Sequence, residues 1–261
     1  MASLNLTADE LLVEMLPPER LVSVTRWADD PGMSNVAGRV PAGAVRLPRA
    51  DLERLIALRP DLVIVSEYTD ADFLRLLKKS GLRHHRMSGL ETLPGIRAAI
   101  LDLGRAVAAE TTAARLVARY DAVLAELTRR LAGAPRPRVL YWADPHTAGA
   151  ATAIGSLVEA AGGTNVAREL GLRGIVPLAG ERAFGADPDT FLVTQGSGAS
   201  TALRAHPLLS RTRAVREGRV VEMPNRLLVA LSDRAADAAW WLASHLHPAR
   251  VPEAFPPPKL P

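Results

Sequence analysis

The chain has 261 residues, 48 % apolar and 23 % charged, a balance that fits one large domain or two lobes and excludes disorder. It contains no Cys, which excludes disulfides, thiolate metal sites, a Cys nucleophile and, within this sequence, a lipidated Cys. Net charge is +4, yet Arg and acid alternate without a run of five like charges, so the basic balance reads as a solvated surface and gives no support to nucleic-acid binding.

No apolar stretch nears the roughly 18 residues that cross a membrane. No basic region followed by an apolar core marks a secretory leader, and the start is abrupt. Ser3-Leu4-Asn5-Leu6 reads as the end of a strand, and Thr7-Ala8-Asp9-Glu10 as the cap and acidic first turn of a helix over 7–16, stopped by Pro17-Pro18. Residues 20–25 predict a buried strand, followed by the loop Arg26-Trp27-Ala28-Asp29-Asp30-Pro31-Gly32. A short strand is expected over 45–47 and a helix over 51–58, ended by Arg59-Pro60. Residues 62–65 form a wholly apolar strand of the parallel-sheet kind. The loop Ser66-Glu67-Tyr68-Thr69-Asp70 leads to a helix over 71–79, a strand over 83–87 and a helix over 93–103.

The stretch 104–131 predicts one long helix. Leu116, Tyr120, Val123, Leu124, Leu127 and Leu131 fall three and four apart, a single apolar stripe. Gly133, Pro135 and Pro137 end it. Beyond it come a strand over 138–142, a small-residue loop over 144–151, a helix over 152–161 stopped by Gly162-Gly163, a short helix over 181–185, a strand over 191–194, a strand over 219–223 and a last helix over 231–246. The Pro-rich tail 252–261 reads as frayed. One pattern occurs twice. Glu53-Arg54 precedes Pro60-Asp61 and an apolar strand, and Glu181-Arg182 precedes Pro188-Asp189 and another, each with five residues intervening. The expectation is an α/β chain of two Rossmann-like lobes with mainly parallel sheets: an N-terminal lobe over 1–103, a bridging helix over 104–132, a C-terminal lobe over 133–250 and a tail over 251–261, with a ligand cleft between the lobes.

In such lobes ligands meet the loops at the carboxyl ends of strands. Those loops begin at Asn5, Arg26, Ser66, Tyr141, Gln195 and Asn225. They carry Trp27, Tyr68, Tyr141 and Trp142, with Phe184 on a nearby helix, five of the eleven aromatics and the equipment for a large, flat, partly apolar ligand. Arg26, Arg182 and Arg226 suit carboxylates or an anionic chelate. Each aromatic has core packing as its alternative, and Trp240 and Trp241 read as packing residues. His146, in a candidate loop, is the histidine to test as a ligand; His84-His85 has no matching carboxylate, and His206-Pro207 and His247-Pro248 read as turns. No Gly-x-Ser-x-Gly, Gly-x4-Gly-Lys-Ser/Thr or His-Glu-x-x-His occurs, and Gln195-Gly196-Ser197-Gly198 is only a fragment of a dinucleotide loop.

The segments 3–12, 18–25, 51–64, 157–167 (with Gly162-Gly163-Thr164-Asn165), 205–208 and 215–220 together make the chain resemble the periplasmic solute-binding proteins of cobalamin and ferric siderophore ABC transporters, whose two lobes are joined by a rigid helix. The resemblance implies capture of one metal chelate (cobalamin, a ferric siderophore or haem) and delivery to a membrane permease, by a monomer touching membrane protein only peripherally. It implies a periplasmic address, with a leader absent from this sequence. No protein-held cofactor or metal is implied, since the ligand brings its own metal. By position it assigns ligand contacts to Asn5, Trp27, Tyr68, Tyr141, Trp142, Phe184 and Arg226, beside Arg26 and His146 from the loop reading. Permease docking falls to Asp70 or Asp72. On the second lobe no acid occurs between Thr190 and Arg216, which leaves Glu217. The short first strand is expected to leave a sheet edge unpaired. The alternatives are a transferase-like two-domain α/β enzyme using the same cleft, a soluble sensor or scavenger, and haem binding with Tyr68 or His146 as axial ligand.

Overall fold

The apolar runs separated by Pro-limited helices pair in parallel, as buried strands joined by helical crossovers should. The computed structural model describes residues 1–229 and 231–253 and divides into two units. The first holds Met1–Leu90, Pro94–Tyr120 and Val229–Arg234; the second holds Glu91–Leu93, Asp121–Leu228 and the chain from Ala235 on.

In the first unit β1 (Ala2–Ser3), α1 (Leu6–Met15), β2 (Ser23–Thr25), β3 (Val45–Leu47), α2 (Leu52–Leu58), β4 (Val63–Ser66), α3 (Ala71–Lys79) and β5 (His84–Met87) precede α4 (Leu93–Ala106). The sheet order is β3-β2-β1-β4-β5, all parallel. The two-residue β1 therefore lies at the centre, with Ala2 opposite both Ser23 and Val63. This corrects the expectation of an unpaired edge: the edges are β3 and β5. Ala2, Leu47, Leu55, Val63, Val65 and Leu77 form one core cluster.

The helix α5 (Glu110–Leu131) runs through the division, with Tyr120 in the first unit and Asp121 in the second. Leu116, Tyr120, Val123 and Leu127 of its predicted stripe are buried. It does not begin at Gly104, as expected. Gly104 belongs to α4, and the chain breaks at Ala108, whose φ is 55°. The alanines around the break favour helix and carry no stop signal, yet α4 is closed by a local turn in which the Ala108 and Ala109 amides donate to Arg105 O and Gly104 O. A Cβ on Gly104 would stand 2.3 Å from Ala113 Cβ, so glycine lets α4 and α5 approach closely there.

The second unit continues with β6 (Arg138–Tyr141), β7 (His146–Ala148), α6 (Ala153–Ala160), β8 (Thr164–Asn165), α7 (Val166–Glu169), β9 (Ile175–Pro177), α8 (Gly180–Ala186), β10 (Thr190–Thr194), α9 (Ala199–Ala205), α10 (Arg213–Arg216), β11 (Val220–Met223), α11 (Asn225–Leu228) and α12 (Ala235–Leu246). Its parallel sheet has the order β11-β10-β6-β8, and β7 pairs with β9 in an antiparallel ladder. The expected loop over 144–151 thus contains a strand, masked in the sequence by Asp144-Pro145 and small residues. The repeated Pro-Asp pattern is conformational as well. α2 and α8 both end on a left-handed residue, Arg59 (φ 45°) and Asp187 (φ 39°), and the N–H of each donates to a carbonyl three residues back. Of the expected frayed tail, residues 254–261 lie outside the described residues, while Trp240 Nε1 donates to Pro252 O at 2.9 Å.

A buried polar network ties the first unit together. Asp9 and Glu10 of α1 are 0 % and 1 % exposed. Thr25 donates its amide at 3.1 Å and its hydroxyl at 2.5 Å to Asp9 Oδ2. Glu10 accepts the amide and side chain of Asn35 at 2.8 and 2.9 Å, and the hydroxyl of Ser232 at 2.5 Å. Arg234 and Arg39 both bond Glu14, at 3.0 and 2.6 Å. Arg119 Nη1 lies 3.9 Å from the buried Asp233. These bonds hold Val229–Arg234 in the first unit, although chain of the second unit flanks it on both sides. They also explain why the last helix starts at Ala235 and not at residue 231: Ser232, Asp233 and Arg234 are committed to the network.

Burial pushes the Asp9 carboxyl up to about 7, opposed by hydrogen bonds from Ser3 and Thr25 and reinforced by the neighbouring Glu10 charge. Burial likewise raises Glu10, against its bonds from Ser232 and Asn35. Glu14 is lowered, chiefly by its hydrogen bond from Arg39.

Two outcomes follow from this packing. In Gly104→Ala the added methyl should cost ~1–3 kcal/mol by overpacking, against the ~1 kcal/mol that Ala offers a helix. The urea midpoint should therefore fall; an unchanged or higher midpoint would contradict the close approach of α4 and α5. The second concerns pH. The native state keeps the Asp9 proton from the ordinary carboxylate range, near 4, up to about 7, whereas the unfolded chain releases it. Asp9 therefore makes stability fall as pH rises through that window, by at most on the order of 4 kcal/mol, with no further loss above it. Asp9→Asn mimics the protonated form. Urea unfolding from pH 4.5 to 8.5 should show wild type losing ground to this variant up to about pH 7 and then keeping a constant gap. Parallel curves throughout would contradict a buried, protonated Asp9.

Candidate functional site

The carboxyl edge of the first sheet is built by three neighbouring strands. β2 and β4 flank β1, so the loops after them stand about 10 Å apart, two strand spacings, with the β1 loop in the middle. After β1, Asn5 caps α1: its Oδ1 accepts the Ala8 amide at 2.8 Å. The Asn5 Nδ2 is buried and has no hydrogen-bond partner among the described residues. After β2 the chain enters a 3-10 turn over Arg26–Asp29. Trp27 on this turn is 40 % exposed, and the Arg26 guanidinium lies 4.2 Å from its ring centroid. After β4, Thr69 Oγ1 accepts the Ser66 amide at 3.0 Å and closes a tight turn whose Tyr68 is 64 % exposed. Among the described residues Trp27 and Tyr68 are the exposed aromatics, and both sit on this one edge. A large aromatic face left in water is unusual for packing and usual for binding.

The second unit places its candidates differently. Tyr141, at the end of β6, is half-buried, and its hydroxyl lies 3.2 Å from Thr194 Oγ1 at the end of β10. Trp142 is 2 % exposed and packs with Leu140, Val166, Leu178 and Phe191. It is a core residue, which corrects its expected ligand contact: the position follows a strand, but the indole turns inward to fill the space under the sheet. Phe184 packs half-buried against the same cluster. His146 is exposed on β7, where its backbone exchanges hydrogen bonds with Ala143. Arg226 is exposed on α11. Arg182 Nη2 donates to Leu170 O at 2.9 Å. Gln195-Gly196-Ser197-Gly198 forms a turn in which Ser197 Oγ donates to Thr194 O at 2.7 Å and Gly196 and Gly198 take positive φ.

The two docking candidates are exposed at the start of α3. Asp70 caps the helix, accepting the amides of Asp72 and Phe73 at 3.0 and 2.9 Å, and Asp72 pairs with Arg75. In the second unit Glu217 pairs with Arg219. Among the described residues no group of three or more His, Asp or Glu side chains is arranged to hold a metal ion.

In the sequence Asp9 and Glu10 read only as two acids behind a cap, a charge–dipole first turn. The signal was their position: Asp9 lies three residues before Leu12, on the face that α1 buries. Through Thr25, Asp9 holds the residue from which the Trp27 turn starts.

Residues 1–227 match the family described as periplasmic binding protein. Among curated proteins the chain is 27 % identical to a cobalamin-binding protein of Halobacterium salinarum over 224 residues, which are 82 % of this chain and 58 % of that protein. The same protein from a second strain matches equally. The chain thus spans 58 % of the length of these curated relatives. Two solved structures are similar over nearly the whole chain. Periplasmic heme-binding protein RhuT from Roseiflexus sp. RS-1, in its apo form, shares 24 % identity with a TM-score of 0.82, over 95 % of this chain and 98 % of that one. Periplasmic heme-binding protein BhuT in complex with two hemes shares 26 % with a TM-score of 0.79, over 95 % and 97 %. Two α/β units with parallel sheets, exposed aromatics at a carboxyl edge and a family match over most of the sequence lead to one conclusion: the chain belongs to the periplasmic binding protein family.

Proposed function

We propose that this protein is the substrate-binding component of an ABC importer and that it takes a flat metal chelate of the tetrapyrrole type, cobalamin or haem. The observation that carries the reading is the placement of Trp27 and Tyr68, 40 % and 64 % exposed, on the two loops that flank the β1 loop at one sheet edge. Covering roughly 100 Å² on each side chain contributes ~2.5 kcal/mol apiece. Arg26, stacked on Trp27, brings a positive charge to the rim of the aromatic face, where a carboxylate or phosphate of the ligand would meet it. The turns are already formed by local hydrogen bonds, so binding loses little ordering entropy. The named relatives are cobalamin-binding and heme-binding proteins, and both kinds of ligand present a flat ring.

The same reading assigns one chelate per monomeric chain, a periplasmic address, and delivery to a permease with Asp70 and Asp72 on the docking face. Asn5, Tyr141, Phe184, His146 and Arg226 remain candidate contacts. The metal travels with the ligand. The family match gives no support to the transferase alternative.

Equilibrium dialysis against cyanocobalamin, haemin, a ferric hydroxamate, a ferric catecholate and molybdate tests the proposal. Either flat chelate should bind at about one per chain with a Kd in the micromolar range or below, and Trp27→Ala should weaken it by ~10–100-fold. Binding only of a siderophore or of molybdate, or undiminished binding in the Trp27→Ala, Tyr68→Ala double variant, would overturn it. If haemin binds, the position of Tyr68 on the same sheet edge as Trp27 favours its phenolate as axial ligand over His146. The Soret spectrum should then change in Tyr68→Phe and stay unchanged in His146→Ala.

A further inference from the structure

The Trp27 turn holds an Arg and an Asp spaced to pair with each other, and they do not pair. Arg26 and Asp29 are the first and last residues of the 3-10 turn. Side chains three apart in such a turn stand over one another, which makes the two natural partners. Elsewhere the chain does pair at this spacing: Asp51 with Arg54 at 3.7 Å, Asp102 with Arg105 at 3.0 Å and Glu126 with Arg129 at 2.7 Å. Arg26 instead lies over the indole of Trp27, 4.2 Å from its centroid, and makes no ion pair among the described residues.

Asp29 is taken by another cation. Arg46 lies on β3 opposite Val24 of β2, beside the strand end from which the turn leaves. Its guanidinium meets the Asp29 carboxylate fork to fork, Nε donating to Oδ2 at 2.6 Å and Nη2 to Oδ1 at 3.3 Å. The remaining nitrogen, Nη1, donates to the carbonyls of Pro41 at 2.8 Å and of Ala44, in the stretch that leads into β3. All three nitrogens are engaged, and the carbonyls fix the fork in the orientation that Asp29 needs. Arg26 could offer Asp29 only a solvated pair without such anchoring, so Arg46 wins the carboxylate. Both side chains of the Arg46–Asp29 pair reach solvent, and a pair of that kind adds little to stability. Its consequence is local: with Asp29 occupied, the Arg26 charge stays on the exposed aromatic face.

We propose that Arg46 is a positioning residue for ligand charge: by holding Asp29 it prevents Asp29 from capturing Arg26, and so keeps a cation over Trp27 for a carboxylate or phosphate at the rim of a flat ligand. The ligand half of this statement rests on the binding function proposed above; the control of Arg26 does not. In the absence of Arg46, Asp29 turns to Arg26, and the indole loses its covering cation.

Acrylamide is a neutral quencher, so it reads how far Arg26 covers the Trp27 ring and not the charge beside it. Trp27 quenching is taken on ligand-free protein, as the difference between each protein and the same protein carrying Trp27→Phe. In Arg46→Gln the quenching constant should rise about 1.5-fold or more, to the level of Arg26→Gln, as the cation leaves the ring. In Asp29→Asn, and in the Asp29→Asn, Arg46→Gln double variant, it should stay at the wild-type value, because no acid is left to capture Arg26. The double variant lacks the Arg46 bonds to Pro41 and Ala44 as Arg46→Gln does, so a folding defect or a loosened turn would raise both alike. Unchanged quenching in Arg46→Gln, or quenching raised in Asp29→Asn or in the double variant, would overturn the proposal; the second result would make Arg46 a plain tether of the turn. With the flat chelate that binds in dialysis, affinity should fall about fivefold or more in Arg46→Gln and return to within about twofold of wild type in the double variant. If the quenching pattern holds and no flat chelate binds, the binding function fails and the control of Arg26 stands. If a chelate binds and quenching is the same in all these variants, the control fails and the function stands.

Discussion

The hydrogen bond from Ser232 to Glu10 joins residues 222 positions apart, and much of the first unit depends on it. A carboxylate with 1 % exposure must be paired or it destabilises the fold that buries it. Glu10 meets that demand with Asn35, Ser232 and Arg234, groups drawn from two distant stretches of chain. A hydrogen bond to a charged group contributes roughly 1.5–3 kcal/mol, and leaving one such partner unmet costs at least as much. This need draws Val229–Arg234 into the first unit after the second unit's sheet is complete, and it delays the start of α12 to Ala235. The same helix, one residue earlier, holds Thr25. The two acids of α1 thus organise both the closing segment of the chain and the loop after β2.

What they support is a property of parallel sheets. With β1 at the centre of the order β3-β2-β1-β4-β5, the connections leave in opposite directions on its two sides. Loops after β1, β2 and β4 become neighbours at the carboxyl edge, where a ligand finds a crevice. Two aromatic faces, Trp27 and Tyr68, are left exposed on those loops, as the proposed binding surface requires. The second unit repeats the architecture but fills the space differently: its indole at Trp142 completes the core, and Tyr141 is tied to Thr194.

Much of this was legible in the sequence because local signals and tertiary structure agreed. The helix at Ala71–Lys79 and the strand at Val45–Leu47 fall at the residues expected from the sequence. The repeated Pro-Asp pattern marked two helices that end alike. Trp27 and Tyr68 were readable as site candidates from their loops alone. The failures share a cause, which is contact over long sequence distance. The break before Glu110 is the exception, a local turn in which Ala108 takes positive φ and the Ala109 amide donates to Gly104 O. The β7–β9 ladder pairs residues that look like loop. Trp142 follows a strand as Trp27 does, and only the packing beneath the second sheet separates a core residue from a surface one. Asp9 and Glu10 looked like an ordinary acidic first turn because nothing near them in sequence announces Thr25, Asn35 or Ser232.

The central claim is that ligand is held at the carboxyl edge by the loops of Trp27 and Tyr68. Amide hydrogen exchange with and without a saturating flat chelate, cyanocobalamin or haemin, tests it most directly. The account predicts slowed exchange over Arg26–Asp29 and the segment 66–69, with amino-edge segments such as 18–22 and 81–84 unchanged. Slowed exchange confined to the amino-edge segments, or none at either edge while the chelate is bound, would contradict it.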